Sequence, residues 1–341
     1  MRTATRLGIA LGVLVGALAA VAWSWTFTPI GRLDLQAAIV AKVAGLQGAS
    51  SMDLSPEARV SANEVTRSML GPFPESGSVA YADRVVPGPG GDIPIRIYTP
   101  EARGSEPLPL YLDIHGGGWW MGNGFPFHEG VLAFAGQVPA IVVSVDYRLA
   151  PEHPYPAALE DCEAVLRWMV AKGAELGGDP ARLAVGGGSA GGNLAAALAL
   201  KMRDEGGPAI AFQYLLVPAT DLSGTREWKS YDEAYEGYVL TVPGIERMID
   251  AYVPDARQRW DPYVSPLLAG GLEGLPPALI VTALFDPLRD QGEAYARRLE
   301  ASGVPVTLHR EDALHGFLGS PERAARIQAM AAGFVRAALH P

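Results

Sequence analysis

Residues 183–203 constrain the fold more than any other stretch. A short apolar run, Leu183-Ala184-Val185, leads into Gly186-Gly187-Gly188-Ser189-Ala190-Gly191-Gly192 and then into the Ala/Leu-rich segment 193–203. The run has the length of a buried strand and the segment the composition of a helix, so a tight glycine turn joins strand to helix. Strands alternating with helices in this way along a chain imply right-handed crossovers and a mostly parallel sheet with helices on both faces. The rest of the chain keeps this rhythm. Strand-like runs fall at 78–86, 93–99, 108–114, 140–145, 209–217, 278–284 and 304–310, and helical ones at 157–172, 291–301 and 322–338. In 157–172, Ala158, Leu159, Cys162, Val165, Leu166, Met169 and Val170 share a helical face, which puts Cys162 in the core. The early strands follow one another without helices between them, the pattern of an antiparallel edge. Residues 33–75 have apolar positions at helical spacing (Leu33, Leu35, Ile39, Val40). Residues 218–265 break the alternation with Trp228, Tyr231, Tyr235, Tyr238 and Tyr252, as an insertion over the sheet would.

Charge and cysteine content narrow the partners. The net charge is −10 and no block of consecutive basic residues occurs, so the chain lacks the cationic face that nucleic acid requires. A lone cysteine forms no intrachain disulfide, and no Cys/His cluster has zinc-ligand spacing.

The N-terminus stands apart. Arg2 and Arg6 precede an uncharged run, 7–31, which would span roughly 37 Å as a helix, enough for a hydrocarbon layer of ~30 Å. Trp23, Trp25 and Phe27 fall where an interfacial belt would lie. The segment reads as a membrane anchor, or as a secretory signal with small-residue cleavage sites at 17–22. Either keeps Arg2 and Arg6 in the cytoplasm and places the remainder outside. Gly8, Gly12 and Gly16, in step with Ala20, would line one face and allow a second copy of the helix to approach, a possible homodimer. The plan expected is therefore a signal-anchor at 1–31, a helical segment at 32–75, and an α/β domain at 76–341 with an insertion at 218–265.

The glycine turn also carries chemistry. Gly187-Gly188-Ser189-Ala190-Gly191 is G-x-S-x-G in its strand–turn–helix setting, where a strained turn projects a nucleophilic hydroxyl from the sheet edge. Gly186, Gly188 and Gly191 also fit the dinucleotide pattern G-x-G-x-x-G, with Asp204 downstream as the ribose acid. His115-Gly116-Gly117-Gly118-Trp119, after the strand at 108–114, favours the first reading. It has the form of an oxyanion loop, in which bare N–H groups face a carbonyl oxygen that is gaining charge. With chain order serine, acid, histidine, the base comes from His309, His315 or His340. His309 lies within a strand run and His340 is penultimate. His315 follows a strand on a loop that reaches the sheet edge. Asp286 directly follows the strand 278–284, whereas Asp290 reads as a cap of the next helix.

These segments resemble the bacterial hormone-sensitive lipase family of α/β-hydrolases. The likeness covers roughly 75–340 and rests on His115–Trp119 with Tyr147-Arg148-Leu149-Ala150-Pro151-Glu152-His153, the elbow at 187–192, Asp286-Pro287-Leu288-Arg289-Asp290 and His315-Gly316-Phe317, in the family's order. It implies an α/β-hydrolase fold whose catalytic domain, 76–341, is covered by a helical cap made of N-terminal cap helices at 32–75 and the cap insertion at 218–265, with Ser189, His315 and Asp286 as nucleophile, base and orienting acid. Gly116, Gly117 and Ala190 would supply the oxyanion N–H groups. No metal or organic cofactor is implied, and the substrate class would be short- to medium-chain acyl esters. Two other readings are a membrane-associated hydrolase of lipid esters and a noncatalytic small-molecule binder on the same scaffold. One position departs from the pattern: the family usually has an acidic residue before the nucleophile, and this chain has Gly188.

Overall fold

The computed structural model describes residues 2–46, 53–70, 73, 78–101, 104–224, 227–233 and 239–340. Helix α1 (Arg2–Ser24) leads to a small hairpin, β1 (Phe27–Thr28) and β2 (Gly31–Arg32), then α2 (Leu35–Leu46) and α3 (Pro56–Leu70). An eight-stranded sheet follows, made of β3 (Val79–Gly88), β4 (Gly91–Pro100), β5 (Leu108–Ile114), β6 (Ile141–Val145), β7 (Gly178–Gly188), β8 (Phe212–Leu216), β9 (Ala278–Phe285) and β10 (Val306–Leu314). Its order is β10-β9-β8-β7-β5-β6-β4-β3. β3 and β4 run antiparallel at the edge and the other strands lie parallel, apart from the antiparallel β4–β6 pair.

The central strands are buried on both sides, which is why they read as continuous apolar runs; every residue of β6 is buried. Helices α4 (His128–Ala135), α5 (Ala157–Lys172), α6 (Ala190–Asp204), α9 (Arg289–Ala301) and α10 (Pro321–Leu339) cover the faces, with α7 (Lys229–Glu233) and α8 (Val242–Tyr252) between β8 and β9. Cys162 is fully buried, as its place on the apolar face of α5 requires.

Several expectations need correction. Helix α4 had no clear apolar period, and its N-cap Phe127 has no side-chain cap bond, so no start signal marks it in the sequence. Strand β7 begins at Gly178, not 183, and β10 runs on to Leu314. Asp290 is no N-cap. It sits inside the first turn of α9, where its carboxylate accepts the Ser230 N–H at 2.8 Å and pairs with Arg289.

At the N-terminus, Leu33, Ala37, Ala38 and Ala41 pack on Phe285 and Leu314, the last residues of β9 and β10. Asp34 accepts from Arg323 of α10 at 2.7 Å. Helix α1 by contrast leaves Val13, Leu14, Val15, Leu18, Val21 and Trp23 exposed. Among the residues with described side chains, no helix is long and apolar enough to cross a membrane, so the anchor expectation gains no support there. Gly8 and Gly12 of the expected pairing face lie in α1 outside the residues with described side chains, and Tyr235 and Tyr238 of the insertion lie outside the described residues. Gly16 has nothing within 4 Å of its Cβ direction.

Candidate active site

The register of the sheet gathers the site. Gly188 pairs with Leu216, and Leu314 with Phe285, so Ser189, Asp286 and His315 all follow directly from strand ends on one edge. At Ser189 the backbone takes φ 56 and ψ −117, a region side-chain-bearing residues avoid, at a cost of about 1–3 kcal/mol. The turn persists because its amide groups are tied on both sides: Ser189 N–H donates to Leu216 O at 2.8 Å, and Asn193 N–H to Ser189 O at 3.0 Å. Close approach fixes two of the glycines. A Cβ at Gly187 would lie 2.5 Å from the Gly191 backbone, and one at Gly191 would lie 2.0 Å from Ile114 O.

Asp286 is buried, and its Oδ1 accepts the Leu288 N–H at 2.9 Å. Its Oδ2 lies 2.8 Å from His315 Nδ1, and His315 Nε2 lies 2.9 Å from Ser189 Oγ. The carboxylate accepts, so Nδ1 carries the ring proton and Nε2 is left to accept from the serine hydroxyl. Gly316, at φ 65, opens the turn that brings the ring back over the sheet edge. His309 is held instead by Glu311 at 3.1 Å, and His340 Nε2 lies 3.2 Å from Pro139 O.

The glycine triplet lies against this serine. The Gly116 Cβ direction points at Gly188 O and at the Ser189 side chain, 2.8 and 3.5 Å away. His115 is the loop's inner brace. Its Nδ1–H donates to Gly116 O at 2.8 Å, its ring stacks on Tyr147 at 4.1 Å, and its own carbonyl accepts the Tyr147 hydroxyl at 3.0 Å. Burial pushes the imidazole down to about 4, so the ring is neutral near pH 7.

A narrow apolar cavity opens beside Ser189, walled by Trp119, Leu222, Ile245, Met248 and Leu288. Helix α8 places Ile245, Met248 and Tyr252 on one buried stripe, and Thr241 Oγ1 caps it by accepting Gly244 N–H at 3.2 Å. Gln291 ties the far wall: its Oε1 accepts the N–H groups of Thr220 and Asp221 at 2.6 and 2.9 Å. Asp204, the acid a dinucleotide would need, is engaged by Arg203 and by the Tyr263 hydroxyl at 3.0 Å.

A family model described as an alpha/beta hydrolase fold matches residues 111–319. The carboxylesterase NlhH of Mycobacterium tuberculosis is 47% identical over 234 residues, 67% of this chain and 72% of its own length. This chain is an α/β-hydrolase of the hormone-sensitive lipase family. The arylesterase of Saccharolobus solfataricus is 38% identical over 70% of the hydrolase and 77% of its own length. Among solved structures, the thermophilic carboxylesterase EstE1, cloned from a metagenomic library, superposes with TM-score 0.79 and 35% identity. That match covers 85% of the hydrolase and 99% of EstE1.

Sequence reasoning missed two supports of the site. Trp119 stacks on Tyr252 with ring centroids 4.7 Å apart and planes 1° from parallel, a pairing of residues too distant in the chain for a periodic signal. Helix α3 makes polar contacts to the segment after the glycine triplet. The departure at Gly188 has a plain structural setting: the nearest atom to a Cβ there is Leu216 Cδ2, at 3.8 Å.

Proposed function

We propose that this α/β-hydrolase cleaves carboxylic esters by two-step acyl transfer on Ser189. The observation that carries the proposal is the continuous hydrogen-bond line Ser189–His315–Asp286, with links of 2.9 and 2.8 Å. Ser189 Oγ attacks the ester carbonyl carbon while His315 Nε2 takes its proton, and Asp286 stabilises the imidazolium that forms. His315 then returns the proton to the leaving alkoxide. Water, activated by the same ring, attacks the acyl-enzyme and releases the acid.

The N–H groups of Gly116, Gly117 and Ala190 are the donors for the tetrahedral oxyanion. For none of the three is a hydrogen-bond acceptor found among the described residues, and Ala190 opens α6, whose first N–H groups have no intrahelical partner. Short- to medium-chain acyl esters are the substrates in this reading, in keeping with relatives named carboxylesterase and ethyl acetate hydrolase. Helices α2, α3, α7 and α8 form the cap in this reading.

A fluorophosphonate, with the adduct mapped by mass spectrometry, tests the assignment. Label on Ser189, lost in Ser189→Ala and slowed in His315→Ala by about 10³-fold or more, is the expected result. Folded enzyme that stays unlabelled, or labels elsewhere, overturns it and favours a noncatalytic binder.

One observation favours membrane attachment as a second reading: the exposed apolar surface of α1 ends in Trp23, Trp25 and Phe27, with Arg32 over the Trp23 ring at 4.0 Å. On this reading α1 enters a bilayer with Arg2 and Arg6 cytoplasmic, the catalytic body outside, and lipid esters within reach. Co-flotation of the full chain with lipid vesicles is expected; full-length protein remaining at the bottom of the gradient rejects it.

A further inference from the structure

Arg59, Asn63 and Arg67 are spaced four apart on α3 and so share one stripe. Arg59 and Asn63 reach the segment that follows the glycine triplet, and Arg67 reaches α4 just beyond it. The Arg59 side chain is buried. Its Nε–H donates to Trp120 O, and its Nη2 donates to Ala150 O at 3.1 Å and to the Glu152 carboxylate at 2.6 Å. Asn63 Oδ1 accepts the Gly122 N–H at 2.9 Å while its Nδ2 donates to Asn123 Oδ1 at 3.0 Å. Arg67 pairs with Glu129 at 3.0 Å on the surface.

Beyond the His115 brace at its start, the segment they hold has little to hold itself. Gly117, Gly118, Trp119, Gly122 and Gly124 take φ of 116, 58, 60, 110 and 72, conformations that a glycine-rich stretch leaves as readily as it enters. Its internal bonds converge on one atom: Trp120 and Met121 both donate N–H to Gly117 O, at 3.2 and 3.0 Å. That carbonyl shares its peptide plane with the Gly118 N–H, and the Gly116–Gly117 peptide adjoins it. Fixing 120–122 therefore restrains the Gly117–Gly118 peptide and, through it, the neighbouring Gly116–Gly117 peptide that carries the Gly117 N–H and that His115 holds from the other end. From the other side α8 seats Met248 Sδ in the notch left by Gly118, where a Cβ would lie 2.0 Å from the sulfur.

We propose that Arg59 and Asn63 are positioning residues for the oxyanion loop, so that α3 sets the aim of donors to which it contributes no atom. The inference rests on the oxyanion role given above to Gly116 and Gly117. It places a determinant of turnover on a helix outside the segment matched by the family model, 111–319.

The test measures kcat and KM on a short-chain ester, and affinity for a trifluoromethyl ketone whose hemiketal alkoxide occupies the oxyanion position. Asn63→Ala is expected to lower kcat by about ten- to a hundredfold with KM within about twofold, and to weaken the ketone in parallel. Asn63→Asp keeps the acceptor for Gly122 N–H and is expected to restore kcat to within about threefold of the unaltered enzyme. Arg59→Met is expected to act in the same direction; if it does not fold, the Asn63 pair decides. Unchanged kcat in Asn63→Ala, or a loss that Asn63→Asp does not rescue, overturns the proposal while leaving the oxyanion reading intact. Failure of the unaltered enzyme to bind the ketone more tightly than its non-fluorinated parent sinks the oxyanion reading, and the positioning role with it.

Discussion

Gly187 and Gly188 sit side by side at the elbow and answer to different constraints. At Gly187 an added methyl would meet the Gly191 backbone at 2.5 Å and Ile114 O at the same distance, and neither is the end of a flexible side chain. At Gly188 the first contact, at 3.8 Å, is ordinary van der Waals distance. Gly188→Ala is therefore expected to stabilise the hydrolase by about 0.4–1 kcal/mol, because alanine has less freedom to lose on folding. Gly187→Ala must push strand and helix apart. Its expected cost is several kcal/mol, with loss of turnover, since the shift displaces Ser189 from His315. Chemical denaturation and ester turnover on the two variants check both. A destabilised Gly188→Ala would mean that the conformation of Ser189 depends on a bare backbone before it.

At the scale of elements, legibility tracked how local the determining physics is. Strand β5 and helix α5 coincide with the sequence reading, because an unbroken apolar run and a single helical face are each written within one segment. Strand β7 was read short. Its first residues, Gly178-Asp179-Pro180, are turn formers by type, and pairing of Leu108 and Pro109 with Gly178 and Asp179 holds them in the sheet. The three residues of the hydrogen-bond line were legible for a different reason: each follows a strand, and parallel strands in register deliver their next residues to a common edge. The stripe on α3 was not legible. Arg59, Asn63 and Arg67 look like the solvated face of an ordinary helix, and their partners lie some sixty positions onward. Tyr252 likewise gives no hint that it stacks on Trp119.

For the whole molecule, a buried histidine and a partly buried carboxyl near the site set opposing responses to acid. Burial pushes His115 down to about 4, against ~6.5 for a histidine in the unfolded chain. Between these values the unfolded chain binds a proton that the native state refuses, so stability falls as pH drops through that window, by about 3 kcal/mol in all. Asp113, on β5 two residues earlier, runs the other way. Burial pushes its carboxyl up to about 6 from 3.8, although the Ser144 hydroxyl donates to it at 3.0 Å and favours the charged form. Between 3.8 and 6 the native state keeps a proton that the unfolded chain has released, so stability is lost as pH rises. The two slopes overlap and offset each other between about pH 4 and 6. Asp113→Asn removes one of them and keeps a partner for Ser144. Its Tm is expected to climb with pH across that interval more steeply than that of the unaltered hydrolase, with the two curves diverging up to about pH 6 and parallel above it. Carboxylates held low by arginine, such as Asp34 beside Arg323, tilt both curves alike and cancel in the comparison. Parallel curves from pH 4 to 6 would show that Asp113 is already ionised in the native state, and that the strand leading into the glycine triplet carries a partly buried charge.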